Sequence, residues 1–129
     1  MKTSYKIAAA LMGSFVLGVG ASSLLHAQAR PPAFVWAEVD IKDVVGFNGN
    51  FLAQARANIK ESGGHYLAGN TEDTPNIVAL NGSAPPSRVT LIQFADMDAA
   101  KAFFAKERAL ESDIGSKYAN FRVVAIEGN

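Results

Sequence analysis

Six side chains of types that take part in binding and acid-base chemistry fall on predicted strands of this 129-residue chain. They are two aromatic rings, a carboxylate, an imidazole, an amide and a guanidinium, found at Trp36, Tyr66, Glu38, His65, Gln93 and Arg122. The predicted group contains either His65 or Tyr66 beside the other four. A small cavity lined by such groups can hold an aromatic or carbonyl-bearing ligand, with Glu38 or His65 as proton acceptor. The structural alternative is that Glu38 pairs with Arg122 or Arg88 while the aromatic rings fill a dimer core.

Other kinds of site have little support in the sequence. Cysteine is absent, which excludes disulfides, thiolate nucleophiles and zinc-thiolate sites. His65 is the only histidine after residue 29 and no H-x-x-x-H spacing exists, so we expect neither a metal site nor a cofactor. No serine lies in a G-x-S-x-G elbow, and the glycine pair at Gly63 and Gly64 follows a predicted helix instead of preceding one. Serine hydrolysis and nucleotide binding are therefore not indicated.

The first 29 residues have the pattern of a secretory signal peptide. Lys2 and Lys6 precede an apolar run over residues 7–19, and the sequence AQA that ends at Ala29 has the form of a cleavage site. We expect cleavage after Ala29 and an exported bacterial protein, either periplasmic or secreted. The alternative is an uncleaved leader that anchors the chain in the inner membrane.

Residues 30–129 are enough for one domain with a modest core. Their ten basic and twelve acidic side chains leave a net charge near −2 and form no basic stripe. Nucleic acid is therefore not an expected partner.

A strand and a helix are predicted to open this domain. Alternation from Ala33 to Asp40 gives one small, apolar face and a second face that carries Phe34, Trp36, Glu38 and Asp40. Asp43 is predicted to cap the helix that follows. Its apolar stripe recurs every four residues, at Phe47, Phe51, Ala55 and Ile59. Gly46 and Gly49 weaken its first turns, and Gly63 is suited to end it.

The centre of the domain is predicted to be a buried strand that leads into an amphipathic helix. Residues 89–94 are rich in β-branched and bulky side chains. Asp96 is predicted to cap the helix, whose apolar stripe contains Met97, Ala100, Phe103 and Phe104. Over residues 107–119 we expect an irregular or broken helix, because Gly115 and Ser116 interrupt the pattern.

Shorter segments complete the chain. Residues 65–68 are predicted to form a strand, 69–76 an exposed loop, and 77–80 a short strand before the turn at Asn81 and Gly82. Residues 121–127 are apolar on both faces, as in a strand that is covered on both sides.

This order of elements predicts an α+β fold, the ferredoxin-like β-α-β-β-α-β sandwich with an extra short hairpin strand. Two helices cover only one face of such a sheet. The other face, which carries Phe34 and Trp36, needs a different cover, and a second copy of the chain would supply it. We therefore expect a homodimer in which two sheets pair face to face as a dimeric α/β barrel.

The chain from residue 30 onward resembles the domain of unknown function family 1330 of the dimeric α/β-barrel superfamily. The likeness rests on Ala37-Glu38-Val39, on GGHYL at residues 63–67, on LNG at 80–82, and above all on residues 89–94 followed by MDAAKAF at 97–103. The resemblance implies the fold and the homodimer but no assigned activity. The family usually has acids where Gln93 and Asn81 stand, and often a basic residue where His65 stands, which weakens an acid-base role for the first two positions.

Three hypotheses on function follow. The first is an exported homodimer that binds a small aromatic or carbonyl-bearing ligand between its sheets. The second is a cofactor-free enzyme of the monooxygenase or isomerase kind found elsewhere in the superfamily, which uses Glu38 and His65. The third is a structural or stress-related envelope protein whose space between the sheets is filled.

Overall fold

A four-stranded antiparallel sheet with helices against one face makes up the fold. The computed structural model describes residues 29–71 and 76–129. In chain order the elements are β1 (Ala33–Ile41), α1 (Val44–Asn50), α2 (Leu52–Glu61), β2 (His65–Gly69), β3 (Arg88–Phe94), α3 (Met97–Asp113), a 3-10 turn (Gly115–Lys117) and β4 (Ala119–Glu127). The strand order is β2-β3-β1-β4. This α+β arrangement is compatible with the ferredoxin-like fold predicted from the sequence.

The first predicted helix forms as two consecutive helices, α1 and α2, with one shared apolar stripe. Asp43 caps α1 as predicted, since its Oδ1 accepts a hydrogen bond of 3.0 Å from the Gly46 N–H. The helix is interrupted at Phe51. The stripe is buried nonetheless, at Phe47, Phe51, Ala55 and Ile59. Gly63 follows the end of α2 in the left-handed conformation, with φ 75°, which confirms its predicted role.

Helix α3 stays regular for longer than predicted. Asp96 caps it as expected, and its Oδ1 accepts a hydrogen bond of 2.8 Å from the Ala99 N–H. The helix continues to Asp113, so the first half of the segment 107–119 is not irregular, and the break falls at Gly115. A Cβ atom at Gly115 would lie 2.8 Å from the rings of both Phe51 and Phe121. A glycine is needed there because the backbone passes so close to these two rings.

The core consists of two clusters between the helices and the sheet. The first joins β1 and β3 to α2 and α3, with Ala33, Val35, Ile59, Ile92, Phe94, Ala100 and Phe103. The second lies toward the other end of the sheet, with Val39, Phe47, Phe51, Ala55 and Ala119. Aromatic contacts strengthen both clusters, with ring centroids 5.0 Å apart for Phe94 and Phe103 and 5.1 Å apart for Phe47 and Phe51.

The extra hairpin strand predicted at residues 77–80 is wrong. These residues form no strand in the structure, and the described residues contain four strands in a single sheet. Val78 and Leu80 are 77% and 96% exposed, whereas Ile77 is half-buried and lines a depression together with Trp36 and Val89. The turn at Gly82 does form, with φ 87°.

The loop after β2 is anchored more firmly than predicted. The sequence places Asn70 in an exposed loop, yet this residue is only 8% exposed. Its Oδ1 accepts a hydrogen bond of 2.7 Å from the Val89 N–H, and its Nδ2 donates to the Ser87 carbonyl at 2.9 Å. Asn70 therefore fastens the start of this loop to β3. The acidic part of the predicted loop, at residues 72–75, lies outside the described residues.

One face of the sheet is covered only in part by the described residues. Val89 of β3 lies on this face and is 8% exposed, and Ile77 shares a depression with it. Val35 and Val39 of β1 point toward the helices and are buried, whereas Trp36 on the opposite face is 41% exposed. Val124 and Ile126 of β4 share that opposite face and are 46% and 66% exposed. The described residues thus cover β4 on one side, not on both. We call this surface the open sheet face.

The predicted signal peptide lies outside the described residues except for Ala29. Among the helices that are described, none has the length and apolar character required to cross a bilayer.

Candidate functional site

The strand register divides the six candidate side chains between the two faces of the sheet. Trp36 and Glu38 lie on the open sheet face, with Arg122 aligned to Glu38 across β1 and β4. Gln93 is aligned with Phe34, and His65 with Gln93, so both also belong to this face. Tyr66 is aligned with Ile92 and lies on the helix side. The register therefore places five of the six candidates on one surface.

Glu38 and His65 are not brought together within one chain. Glu38 lies four residues along β1 from Phe34. Phe34 is aligned with Gln93 on β3, and Gln93 with His65 on β2, so His65 is also two strands away. At about 3.4 Å per residue and about 4.8 Å per strand, this places them roughly 16 Å apart. This distance is too long for direct proton transfer between the two side chains within one protomer.

Trp36, Glu38 and Arg122 form a polar group in the middle of the open sheet face. The Trp36 indole N–H donates a hydrogen bond of 3.0 Å to Glu38 Oε1. The Arg122 guanidinium lies 3.4 Å from Glu38 Oε2. The indole hydrogen bond is the main cause that lowers the pKa of Glu38; desolvation, the next largest effect, opposes it, and the contacts with Arg122 add to the lowering. The carboxylate is therefore held as an anion and is a weaker base than an ordinary glutamate.

A hollow of about 70 Å³ lies on the other side of the sheet, where the two core clusters meet. Its floor is a single row across three strands, formed by Thr90, Ala37 and Val123. Phenylalanine rings from both clusters form the walls, at Phe47, Phe51, Phe103 and Phe121. A sealed void of this size would cost about 1.7 kcal/mol, because protein interiors are otherwise close-packed. We call this space the helix-side hollow.

Two glutamates of α3 line the helix-side hollow. Glu107 is 6% exposed, and its Oε2 accepts a hydrogen bond of 3.0 Å from Asn58 Nδ2. Burial raises the pKa of Glu107. Glu111 lies one turn further along α3, where burial, with the charge of Glu107 as a second cause, raises its pKa to about 7. One of the two carboxyls therefore exchanges its proton close to neutral pH.

Basic and phenolic groups lie at the mouth of the helix-side hollow. Arg56, Tyr66 and Arg88 line both this hollow and a wider depression of about 290 Å³ outside it. Burial raises the pKa of Tyr66, while the positive charges of Arg56 and Arg88 oppose the rise. The mouth of the hollow thus carries the phenol of Tyr66 and the guanidiniums of Arg56 and Arg88, whereas the two carboxylates lie on α3.

Glu107 and Glu111 were not predicted from the sequence, because acids on a predicted helix are usually on its solvent side. A usable signal was present, since both residues continue the four-residue spacing that begins at the buried Phe103. An acid on an apolar stripe either has a buried partner or lines a cavity. Among the described residues, no group of three or more His, Asp or Glu side chains converges on a point where a metal ion could bind.

Comparison with protein families gives one match. The family model described as a domain of unknown function, DUF1330, matches residues 32–128 and so covers the sheet and every helix that the structure describes. None of the curated proteins is similar enough to this chain to count as a relative.

Proposed function

Because the chain belongs to the DUF1330 family, which has no assigned activity, we propose from its geometry that it is an exported, homodimeric small-molecule-binding protein. Two copies pair through their open sheet faces as an α/β barrel, and the ligand lies between the sheets. The single observation that carries this proposal is the row of exposed apolar side chains on the face of the sheet opposite the core, at Trp36, Val124 and Ile126. Contiguous apolar surface of this kind is typical of interaction sites.

The dimensions of the open sheet face suit a second copy of the chain. Strands of five to nine residues make a face of roughly 500 Å² per copy, hence roughly 1,000 Å² in total, near the lower limit for a specific interface. The face carries both a carboxylate and a guanidinium, at Glu38 and Arg122. A two-fold axis lets each of these charges meet its opposite on the partner, so the surface is complementary to itself.

The side chains of this face favour a small aromatic or carbonyl-bearing ligand. Trp36 offers an apolar ring that packs against a flat molecule, while Gln93 and His65 supply amide and imidazole groups for hydrogen bonds. Glu38 is held as an anion by the Trp36 indole and Arg122, which suits it to accept hydrogen bonds from a ligand more than to abstract a proton. This lowered basicity favours binding over the cofactor-free enzyme.

The oligomeric state of the purified protein is the first test. Light scattering at micromolar concentration should give the mass of a dimer. Val124→Lys places two charges in the interface and should give a folded monomer. The matched control is Val78→Lys, which changes an exposed valine outside the sheet and should leave the dimer intact. A wild-type protein that is monomeric at these concentrations would contradict the proposal.

The ligand and the question of catalysis need a second test. Native mass spectrometry of protein purified from its own cell envelope should show a dimer that retains a small molecule. With that molecule in hand, Glu38→Gln should change its affinity without revealing any turnover to lose. If the wild type converts the molecule and Glu38→Gln abolishes this conversion without changing the affinity, the hypothesis of a cofactor-free enzyme is favoured. A dimer that retains no small molecule and binds none that is added would favour the hypothesis of a structural envelope protein.

A further inference from the structure

The helix-side hollow provides a second potential binding site, separate from the open sheet face. We propose that it binds the ammonium group of a small branched amine, with Glu107 and Glu111 as the anionic partners and the phenylalanine walls around the carbon chain. This proposal does not depend on the dimer, because every residue of the hollow belongs to one chain.

The carboxylates are the first reason. Glu107 is more than nine-tenths buried, and among the described residues the Asn58 amide is its only hydrogen-bond partner. No fully buried side-chain oxygen or nitrogen in that part of the chain lacks a partner, so the second oxygen of Glu107 keeps some solvent-accessible surface. Glu107 is also one of the residues that line the hollow. Glu111, also in the lining, makes no hydrogen bond or ion pair with the described residues. Desolvated carboxylates without a cation are costly, and an incoming cation removes that cost.

The walls are the second reason, because they indicate which cation fits. Four phenylalanine rings line the hollow, and aromatic rings attract organic ammonium groups through the negative face of the ring. A divalent metal ion would require six or more oxygen ligands or a set of imidazoles, which this apolar lining does not offer. The volume of about 70 Å³ limits the part that enters to a short branched chain.

Charged and titratable groups from the neighbouring elements also face the two acids. Arg56 on α2 and Arg88 on β3 line the hollow together with Tyr66 on β2. The two arginines oppose the rise in the pKa of Tyr66 that burial causes, and the charge of Glu107 adds to that rise. Neither arginine is among the causes that raise the pKa values of the two acids, and with a pKa of about 7 Glu111 is ionised at pH 8, so the part of the hollow along α3 then carries negative charge.

Three probes with similar branched carbon chains and different charge test the proposal. They are isobutylamine, isobutanol and isobutyrate, titrated at pH 8 into the ¹⁵N-labelled protein and followed by amide chemical shifts. The amine should shift amides around Ala37, Thr90 and Glu107 with a dissociation constant on the order of 1 mM, at least tenfold below that of the alcohol. The carboxylate should not bind in the hollow.

Variants identify the partners. Glu111→Gln should weaken amine binding about tenfold and leave alcohol binding unchanged, and Glu107→Gln should do the same where it folds. Glu61→Gln, an exposed glutamate on α2, is the matched control and should change neither. Lowering the pH to 5.5 should weaken amine binding to the wild type, because Glu111 then carries a proton while the amine remains charged.

Each other outcome overturns the proposal. Equal affinity for amine and alcohol would make the hollow an apolar void, tighter binding of isobutyrate would assign it to anions through Arg56 and Arg88, and the absence of binding by all three probes would exclude a site. The monomeric variant Val124→Lys should bind isobutylamine as the wild type does. The experiments therefore test the dimer and the amine site independently, so that one proposal can be wrong while the other is confirmed.

Discussion

Glu38 and Glu111 are both glutamates beside aromatic rings, yet their surroundings move their pKa values in opposite directions. Glu38 accepts a hydrogen bond from an indole and faces a guanidinium, and both interactions stabilise its anion. Glu111 has no such partner among the described residues, and burial disfavours its anion. The residue suggested by the sequence as a base is therefore the weaker base, and the residue overlooked is the one that titrates near neutral pH.

A prediction on the pH dependence of stability follows for Glu111. Its pKa rises from the ordinary value of 4.5 to about 7 in the fold, so the folded state binds this proton more tightly than the unfolded chain. The contribution of Glu111 to stability is therefore fully present below about pH 4.5 and is lost as the pH rises through about 7. Because Glu111 is partly exposed, we expect a loss of about 1–2 kcal/mol in the free energy of unfolding between pH 5 and pH 8.

Urea unfolding at pH 5 and pH 8 measures this loss. Glu111→Gln removes the titrating group and should make most of the difference disappear, mainly by raising stability at pH 8. A smaller slope should remain from Glu107, whose pKa is also raised by burial. Glu61→Gln is the control and should retain the wild-type slope. If Glu111→Gln retains it as well, the carboxyl is better solvated than its position indicates.

Only the part of the candidate site that follows from the alternation of side chains along a strand could be predicted from the sequence. Trp36 and Glu38 share a face because a strand alternates, and Arg122 joins them because its strand pairs with β1 in that register. The sequence left open whether His65 or Tyr66 belonged to this group, since the phase of a strand that follows a glycine turn depends on the turn's conformation. The hollow could not be read from the sequence, because it depends on how α2 and α3 cross above Ala37.

At the scale of elements, helix α1 is shaped by two glycines with different surroundings. A Cβ atom at Gly46 would collide with the ring of Tyr118 and lie 2.7 Å from Asp43 Oδ2, the carboxylate that caps the helix. A Cβ atom at Gly49 would meet nothing within 4 Å. The same residue type thus marks a close approach at one position and only a weak helix former at the other.

Paired alanine substitutions test this distinction. Gly49→Ala should raise the free energy of unfolding by about 0.5–1 kcal/mol, through lower entropy of the unfolded chain and better helix propensity. Gly46→Ala should lower it by about 1–3 kcal/mol, since Tyr118 must move and the cap is disturbed. Thermal or chemical unfolding of the two variants gives the answer. Equal changes in the free energy of unfolding for the two variants would mean that the Tyr118 ring moves aside without an energetic cost.

The elements were largely predictable because their caps and stripes are local. Asp43 and Asp96 cap the helices at the predicted positions, and the stripe from Phe47 to Ile59 is buried as its spacing indicated. The short strand at residues 77–80 was wrong because apolar character says nothing about whether a partner edge is free. In the sheet, β2 occupies the edge beside β3, and Asn70 holds the chain that leaves β2 against β3.

At the scale of the whole molecule, pairing through the open sheet face couples folding to association. Thermal unfolding should then depend on protein concentration, with the midpoint rising by about 3 °C for each tenfold increase. Val124→Lys should remove this dependence, and Val78→Lys should keep it. Trp36 is the only tryptophan of the chain, so its fluorescence emission should shift to longer wavelength on dilution to the monomer. A midpoint independent of concentration would speak against the dimer.

The hollow between the two core clusters also affects how the protein responds to compression. The hollow contributes about 70 Å³ of space to the folded state, and the volume change on unfolding scales with the internal space that is lost. Hydrostatic pressure therefore favours the unfolded chain through this one gap. A molecule that fills the gap, or a bulkier side chain in place of Ala37, makes the fold stiffer and more resistant to a few kilobars.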